Sequence, residues 1–381
     1  MQINILGAGP AGLYAAILLK RMRADLTVRV FEQNPPDATF GFGVVFSDQA
    51  LEFLRGDDPE TADLIEPHMQ RWSDIVVNHR DAHIAIDGVG FAGIGRLELL
   101  QLLQRRAADL GIVPQYGMRI DALSDLPDAD LTIGADGLNS LLRRSNPQAF
   151  GEKITALDNR FVWYGANREF DALTQTFIDT PHGPMNAHHY SYAPGRATFI
   201  IEMGPLTFAQ SGFADMAEPE YRAACEALFA DHLQGAALIP NQSTWRQFPN
   251  LSCETWYHDN YVLVGDALHT AHFSIGSGTR LALEDVIALA RALRDADWDV
   301  TAALPAYQSE RQPVLNKIVT AARQSADWYE DFGTHMQLDP YPFALSYIRR
   351  AGRLSAERLA RMAPAFTATL RAKGIDLEGT L

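Results

Sequence analysis

The sequence holds only two cysteines, Cys225 and Cys253, in unrelated contexts. Two thiols support neither a disulfide framework nor a thiolate metal site, and they suit a reducing compartment. The histidines are scattered and none shows H-E-x-x-H or similar ligand spacing, so no metal centre is expected. No apolar run approaches the roughly 20 residues of a membrane span, and no membrane partner is expected. The N-terminus opens on a strand pattern without a basic leader, so a cytoplasmic location is expected. Basic charge is short as well, with 32 Lys and Arg against 47 Asp and Glu and a net charge of −15. That balance argues against nucleic acid as a partner. There is no internal repeat and no low-complexity linker. What remains is globular composition, 47% hydrophobic and 21% charged over 381 residues, enough for a large core or two domains.

The acidic bias reverses once. Residues 346–381 carry seven basic side chains (Arg349, Arg350, Arg353, Arg358, Arg361, Arg371, Lys373) against three acids, Glu357, Asp376 and Glu378. This is either a solvated helix face or a landing site for a phosphate-bearing substrate, with Arg349 and Arg350 as candidate contacts.

Three strand ends carry the chemistry. Gln2–Leu6 reads as a strand, Gly7-Ala8-Gly9-Pro10-Ala11-Gly12 follows, and Leu13–Met22 is helical in pattern. A second strand, Thr27–Phe31, ends in Glu32, twenty residues beyond Gly12. A G-x-G-x-x-G between strand and helix, with an acid at this distance, is a strong dinucleotide signature. The carboxylate suits a ribose and disfavours an added 2′-phosphate, so FAD or NAD is preferred to NADP. Asp130–Ala135 is a third buried strand and runs into Asp136-Gly137. Tyr261–Val264 is a fourth, running into Gly265-Asp266, then a loop with Gly276 and Gly278, then a helix from about Arg280. Ligands collect at the carboxyl ends of strands in such sheets.

Other features stay open. Gly41-Phe42-Gly43-Val44 is either backbone close to a flat ligand or a hairpin turn. Gly93-Ile94-Gly95-Arg96 opens a helix, with Arg96 either solvated or a diphosphate clamp. Residues 74–86 alternate like strands and contain His79. From about Phe150 to Asn260 the alternating, aromatic-rich segments predict an inserted antiparallel sheet, with a helix over Met216–Leu233. The expected organisation is α/β. Residues 1–73, 93–150 and 260–325 form a Rossmann-like domain, 74–92 with 151–259 a sheet domain for substrate, and 326–381 a helical C-terminus.

The order Gly7-x-Gly9-x-x-Gly12 with Glu32, then Asp136-Gly137, then Gly265-Asp266 resembles the class A FAD-dependent aromatic monooxygenases. The resemblance covers roughly residues 1–325. It implies FAD as cofactor, NADH or NADPH as reductant, and hydroxylation of an activated ring by O2 through a flavin C4a-hydroperoxide. The FAD contacts it implies are Gly7, Gly9, Pro10, Ala11, Gly12, Glu32, Gln33, Gly43, Val44, Arg96, Asp136, Gly137, Gly265, Asp266, His269, Gly276, Gly278 and Thr279. Many members carry Pro-Pro after the Gly-Asp motif, and here His272-Phe273 stands in that place. With G-F-G-V-V-F-S-D and A-H-F-S-I-G-S-G-T, the chain is similar to the aryl-coenzyme A hydroxylase branch. That implies an aryl-CoA substrate such as salicylyl-CoA, hydroxylated at carbon 5, in a monomer or homodimer. The alternatives are hydroxylation of a free indole or phenol, or a flavoprotein reductase. A reductase with two dinucleotide domains would need a second G-x-G-x-x-G after a strand, and none is present. His188, His272 and Phe273 are the expected catalytic residues. Phe42, His79, Trp163 and Tyr190 are the expected substrate contacts; for each histidine and aromatic, simple packing is the competing reading.

Overall fold

The computed structural model describes residues 1–47, 50–352 and 354–378. It opens with the strand Gln2–Leu6, the helix Pro10–Met22 and the strand Thr27–Phe31. The two strands run parallel with Leu6 opposite Phe31. Leu131–Gly134 joins on the other side with Leu6 opposite Gly134, and Tyr261–Leu263 follows with Leu263 opposite Gly134. A short antiparallel strand, Tyr257–His258, ends that edge. Three stretches distant in the chain therefore finish in one row. Gly7, Glu32, the Asp136 turn and the Gly265 turn all follow that row along one carboxyl edge, as a parallel sheet requires. The helix Pro10–Met22 is buried without a break from Ala11 to Leu19. It packs against the helices Arg96–Asp109 and Gly278–Asp295, which is why it has no polar stripe in its middle.

The second sheet has seven strands. Their order is Leu238–Ile239, Arg160–Ala166, Arg196–Met203, Gly183–Ala193, Leu173–Thr180, Ile75–His79 and Ala82–Ile86. It is antiparallel, as the alternation predicts, except where Leu173–Thr180 runs parallel to Ile75–His79. That exception arises because the hairpin of residues 75–86 comes from before the insert and is connected to it by the whole stretch 87–172, long enough for a parallel crossover. The expected single helix over Met216–Leu233 is two, Glu218–Leu228 and Ala230–Leu233, parted where Phe229 leaves helical geometry (ψ 19°). Gly93 and Gly95 lie in the strand Phe91–Gly95, and the helix opens at Arg96. A side chain at Gly93 would come within 2.8 Å of the Trp72 ring.

Both faces of the large sheet are covered. The helix Glu218–Leu228 packs on Ala187, Phe199 and Ile201. The other face, with Ile75, Val77 and Phe177, meets the C-terminal helices Pro340–Arg349, Ala356–Met362 and Pro364–Ala372. The helix Val300–Glu330 starts in the first core and ends in the second, unbroken through residue 325, where the sequence suggests a boundary. Among the described residues no helix is long and apolar enough to cross a membrane.

Candidate active site

The three glycines of the first turn do different work. Gly7 has φ +94°, and a Cβ on it would lie 2.5 Å from the Ala135 carbonyl oxygen. A Cβ on Gly12 would lie 1.9 Å from the Gly7 oxygen. A Cβ on Gly9 would meet nothing within 4 Å, because Gly9 opens on a cleft. Gly9 caps the helix Pro10–Met22 without a side-chain bond, and no acid stands in the first turn. Its bare N–H groups and positive dipole end face that opening, which suits an anion. Glu32 bounds the cleft and accepts hydrogen bonds from the Ala8 N–H at 2.9 Å and from the Asn34 N–H and Nδ2 at 2.8 Å each. The cleft spans about 750 Å³ including its solvent-open mouth and is lined by Gly9, Pro10, Glu32, Val44, Arg96 and Thr279 among others. Gln33 is exposed and absent from that lining. Ala11 is buried, facing Gly265.

The Gly-Asp turn stands further along the same edge. Gly265 has φ +60° with Ala282 Cβ 3.0 Å from where its own Cβ would be, so only glycine fits without displacement. Asp266 is recessed in this turn but keeps solvent-accessible surface. Burial raises its pKa, against the pull of His269 and Arg96. Gly276 (φ +61°) packs against Val45, while Gly278 opens on free space at the start of an 18-residue helix with no acid in its first turn. Asp136 accepts from the Leu141 N–H at 2.6 Å through Oδ2, and its Oδ1 is buried without a partner. Gly137 follows with φ +74°. Arg96 donates from its side chain to the Phe40 carbonyl at 2.6 Å and lies over the Trp163 ring at 5.2 Å, so it is packed rather than solvated. The cradle thus presents bare helix N-termini, the Glu32 carboxylate, an unspent Asp136 oxygen and room where Gly9 and Gly278 lack side chains. These features fit an extended dinucleotide.

His269 does not face that space as an isolated contact. Its Nε2 bonds Asp285 Oδ2 at 2.7 Å, and Asp285 also accepts from the Gly265 N–H at 3.1 Å and from Arg311 Nε at 2.9 Å. Burial alone would raise the Asp285 pKa, but His269 and Arg311 outweigh it and hold it below the usual carboxylate range. Sequence reasoning missed Asp285 and Arg311. The signal was an acid amid the apolar run Leu281–Leu293.

The second half of the site lies under the large sheet. Side chains alternate across a strand, and the register puts Phe161 opposite Glu202, Trp163 opposite Ile200, and His188 opposite Ile200 on its other side. Phe161, Trp163, His188, Tyr190 and Glu202 therefore share one face. The loop after Gly265-Asp266 brings His272 and Phe273 up to it. The Phe273 ring stands 5.2 Å from His188, 5.0 Å from Phe161 and 4.2 Å from His272. Tyr329 adds a further ring 4.8 Å from His188, and together these rings would wall a candidate substrate chamber. His272 Nδ1 bonds Ser274 Oγ at 2.8 Å, which bonds Ser325 Oγ at 2.7 Å. Burial, then the charge of Arg350, lowers His188 to about 3. Burial, against the opposing charge of Glu202 and with lesser help from His188 and Arg350, lowers His272 to about 4. Both rings are neutral imidazoles.

The remaining candidates divide. Tyr190 donates from its hydroxyl to the Gly43 carbonyl at 2.9 Å and ties the sheet to the glycine strand. The Phe42 ring lies where a Gly165 side chain would stand, and Trp163 covers Gly41. His79 is fully buried, bonds the Leu338 carbonyl at 3.1 Å and stacks on Phe343 at 4.3 Å, so it packs beneath the C-terminal helices outside the chamber. The basic tail is corrected too. Arg350 lies over Tyr347 at 3.9 Å and donates to the Ser274 carbonyl at 2.9 Å, and Arg349 donates to the Leu377 carbonyl. They serve the end of a packed helix, where cations meet free carbonyls, and not an exposed phosphate site. Arg358, Arg361, Arg371 and Lys373 are exposed, and Arg353 lies outside the described residues. Glu202, Asn159 and Tyr329 were missed by sequence reasoning, although a single acid in the apolar strand Arg196–Met203 marked Glu202.

The buried histidines make a pH prediction. His188, His272, His189 and His79 all have lowered pKa values, burial being the first cause in each. The unfolded chain then binds protons that the folded one refuses, so stability is full above about pH 6.5 and falls as pH drops below it. Glu202, whose pKa is raised by burial, acts in the opposite sense and offsets part of this. Thermal melts from pH 8 to pH 4.5 should show a steady decline starting near pH 6.5. A flat profile down to pH 5 would refute the neutral-histidine assignment.

Fold and cradle together define a flavoprotein built on a Rossmann-like domain with an inserted sheet. A family profile described as FAD binding domain matches residues 127–322, and one described as NAD(P)-binding Rossmann-like domain matches residues 5–36. Salicyloyl-CoA 5-hydroxylase of Streptomyces sp is 37% identical over 361 residues, covering 92% of this chain and 70% of that protein. 3-Hydroxy-4-methyl-anthranilyl-(aryl-carrier protein) 5-monooxygenase of Streptosporangium sibiricum is 36% identical over 329 residues, covering 86% and 89%. The solved structure of 2-methyl-3-hydroxypyridine-5-carboxylic acid oxygenase shares the fold, with a TM-score of 0.73 at 18% identity over 92% of this chain and 96% of that one. The chain belongs to the class A FAD-dependent aromatic monooxygenases, and it is an aromatic hydroxylase that uses FAD and NAD(P)H.

Proposed function

We propose that the protein hydroxylates the ring of an aryl thioester, with salicylyl-CoA converted to gentisyl-CoA as the first candidate. The observation that carries this reading is the pair of relatives at 37% and 36% identity. Both are named for aroyl groups held on a carrier, coenzyme A or a carrier protein, and both are named for position 5. In 2-hydroxy- and 2-aminobenzoyl groups that carbon is para to the electron-donating substituent, where the ring is most reactive toward an electrophilic oxygen. When bound, FAD reduced by NAD(P)H supplies the activation of O2.

This chain's residues then have separable tasks. Gly9 and the start of the helix Pro10–Met22 receive the diphosphate, and Glu32 the ribose. Asp136, Asp266 and the N-terminus at Gly278 hold the flavin side. His188, His272, Phe273 and Phe161 take the substrate ring and exclude water, since the first two are buried and neutral. Turnover tests the substrate class. NAD(P)H oxidation should be stimulated by salicylyl-CoA, with hydroxylated thioester formed in proportion, and should not be stimulated by free salicylate. Stimulation by the free acid alone would refute the thioester reading.

A further inference from the structure

Glu202 is a carboxylate only 1% exposed, on a strand whose neighbours Phe199, Ile200, Ile201 and Met203 are apolar and buried. Burying an ionisable group without a counter-charge is costly. Among the described residues no lysine or arginine pairs with it. Asn159 Nδ2 donates to Oε1 at 2.9 Å, and His188 Nε2 meets Oε2 at 3.2 Å. Asn159 is itself fixed, since its Nδ2 also donates to the Tyr329 carbonyl at 2.8 Å and its backbone N–H to Glu330 at 3.1 Å. The carboxylate is thus held firmly but not discharged. Opposite an ionised Glu202, His188 Nε2 must carry the proton, which makes Nδ1 an acceptor. Among the described residues Nδ1 has no protein partner, and its ring lies against Phe273.

We propose that His188 and Glu202 form a proton-accepting pair for the ring hydroxyl of the bound aromatic, with His188 touching the substrate and Glu202 positioning it and storing the proton. In this step the ring O–H bond breaks and an N–H bond forms at His188 Nδ1. The Nε2–H bond breaks and the proton moves to Glu202 Oε2. The imidazole is neutral before and after, and the negative charge moves from Glu202 to the ring oxygen, which enriches the para carbon. The inference rests on the reading that the chamber takes the aromatic ring, and not on the thioester.

The surroundings favour this direction of transfer. Burial raises the Glu202 pKa, against the opposing effects of His272 and Asn159, so it is a stronger base than a free carboxylate. The depressed pKa of His188 keeps charge from resting on the imidazole. The other polar or charged groups around the pair include Asn186, directly opposite Glu202 in the sheet register, and His272, Tyr329, Glu330 and Arg350. Arg350 is the cation among them and favours an oxyanion on the ring.

Glu202→Gln keeps the shape and the Asn159 contact but cannot take a proton. In the FAD-loaded enzyme, with 2-hydroxybenzoyl-CoA and free 2-hydroxybenzoate assayed in parallel, kcat at pH 7 should fall about 10²-fold with KM changed far less. The loss should shrink as pH rises toward the phenol's own pKa, because the ring then arrives ionised. A kcat and pH profile like the wild type would overturn the proposal, as would a loss equal at every pH. If Glu202→Gln does not retain FAD, His188→Asn, which leaves the Glu202–Asn159 bond intact, must show the same alkaline recovery, and its absence overturns the proposal. Turnover of the free acid but not the thioester removes the substrate reading and leaves this test to run on the acid. Turnover of neither phenol overturns both.

Discussion

Gly12→Ala is expected to give a protein that no longer retains FAD. The added methyl would stand 1.9 Å from the Gly7 carbonyl oxygen, and the atom it meets is backbone, which cannot swing aside. Relief requires moving the helix Pro10–Met22 off the strand Gln2–Leu6. That movement opens a core that includes Ile5, Leu13 and Ile17, each fully buried. Overpacking of this kind costs about 3 kcal/mol or more, a loss of at least ~10²-fold in an equilibrium constant. Gly9→Ala is the matched control. Its methyl meets no protein atom within 4 Å, so the apoprotein should melt as the wild type does while flavin retention falls. Flavin absorbance per mole of purified protein, with a melting curve of each apoprotein, separates the two. Full flavin content in Gly12→Ala would mean that the turn is not packed as described.

Asp285→Ala should produce the second large effect. Asp285 is fully buried and receives the Gly265 N–H, His269 Nε2 and Arg311 Nε. Removing it leaves an imidazole and an amide N–H without an acceptor. Arg311 keeps Glu284 at 2.8 Å, so the damage falls chiefly on His269 and the Gly265 turn. Breaking a buried charged pair costs about 3–5 kcal/mol, and on the order of 10 °C in melting temperature follows. FAD affinity should fall with it, because Gly265 directs Asp266. The sign with pH is fixed by the depressed Asp285 pKa. Its contribution is complete above the unfolded value of about 3.9 and is lost as pH falls through the folded one. The gap between variant and wild type should therefore be full near neutrality and close in strong acid. Equal melting temperatures at pH 7 would show that the network carries no stability.

The cofactor half of the fold was legible because its information is local. Gly7, Gly9 and Gly12 sit within six residues, and an acid at position 32 completes a pattern with a physical cause at each place. The parallel register then aligns distant turns by necessity. The chamber was only partly legible, because its contacts span the chain. Alternation shows that His188 and His189 point to opposite faces, but not which face meets the flavin loop. His189 went to the other side, stacked on Phe199 at 5.0 Å. Glu202 and Asn159 are 43 residues apart, and Asn159 reaches Tyr329 across 170. Composition misled at the tail, where charge counting groups Arg350 with solvated neighbours although an aromatic face and a carbonyl hold it inside.

The helix Val300–Glu330 joins these two halves in a mechanical sense. Arg311 grips the Asp285 network near one end, while Tyr329 and Glu330 hold Gln175 and Asn159 at the other. The span from Arg311 to Tyr329 is about 27 Å at 1.5 Å per residue. A pivot of about 5° at the Arg311 end would displace Tyr329 by roughly 2 Å. The strut therefore makes the position of the Tyr329 ring beside His188 depend on the seating of the Gly265 turn.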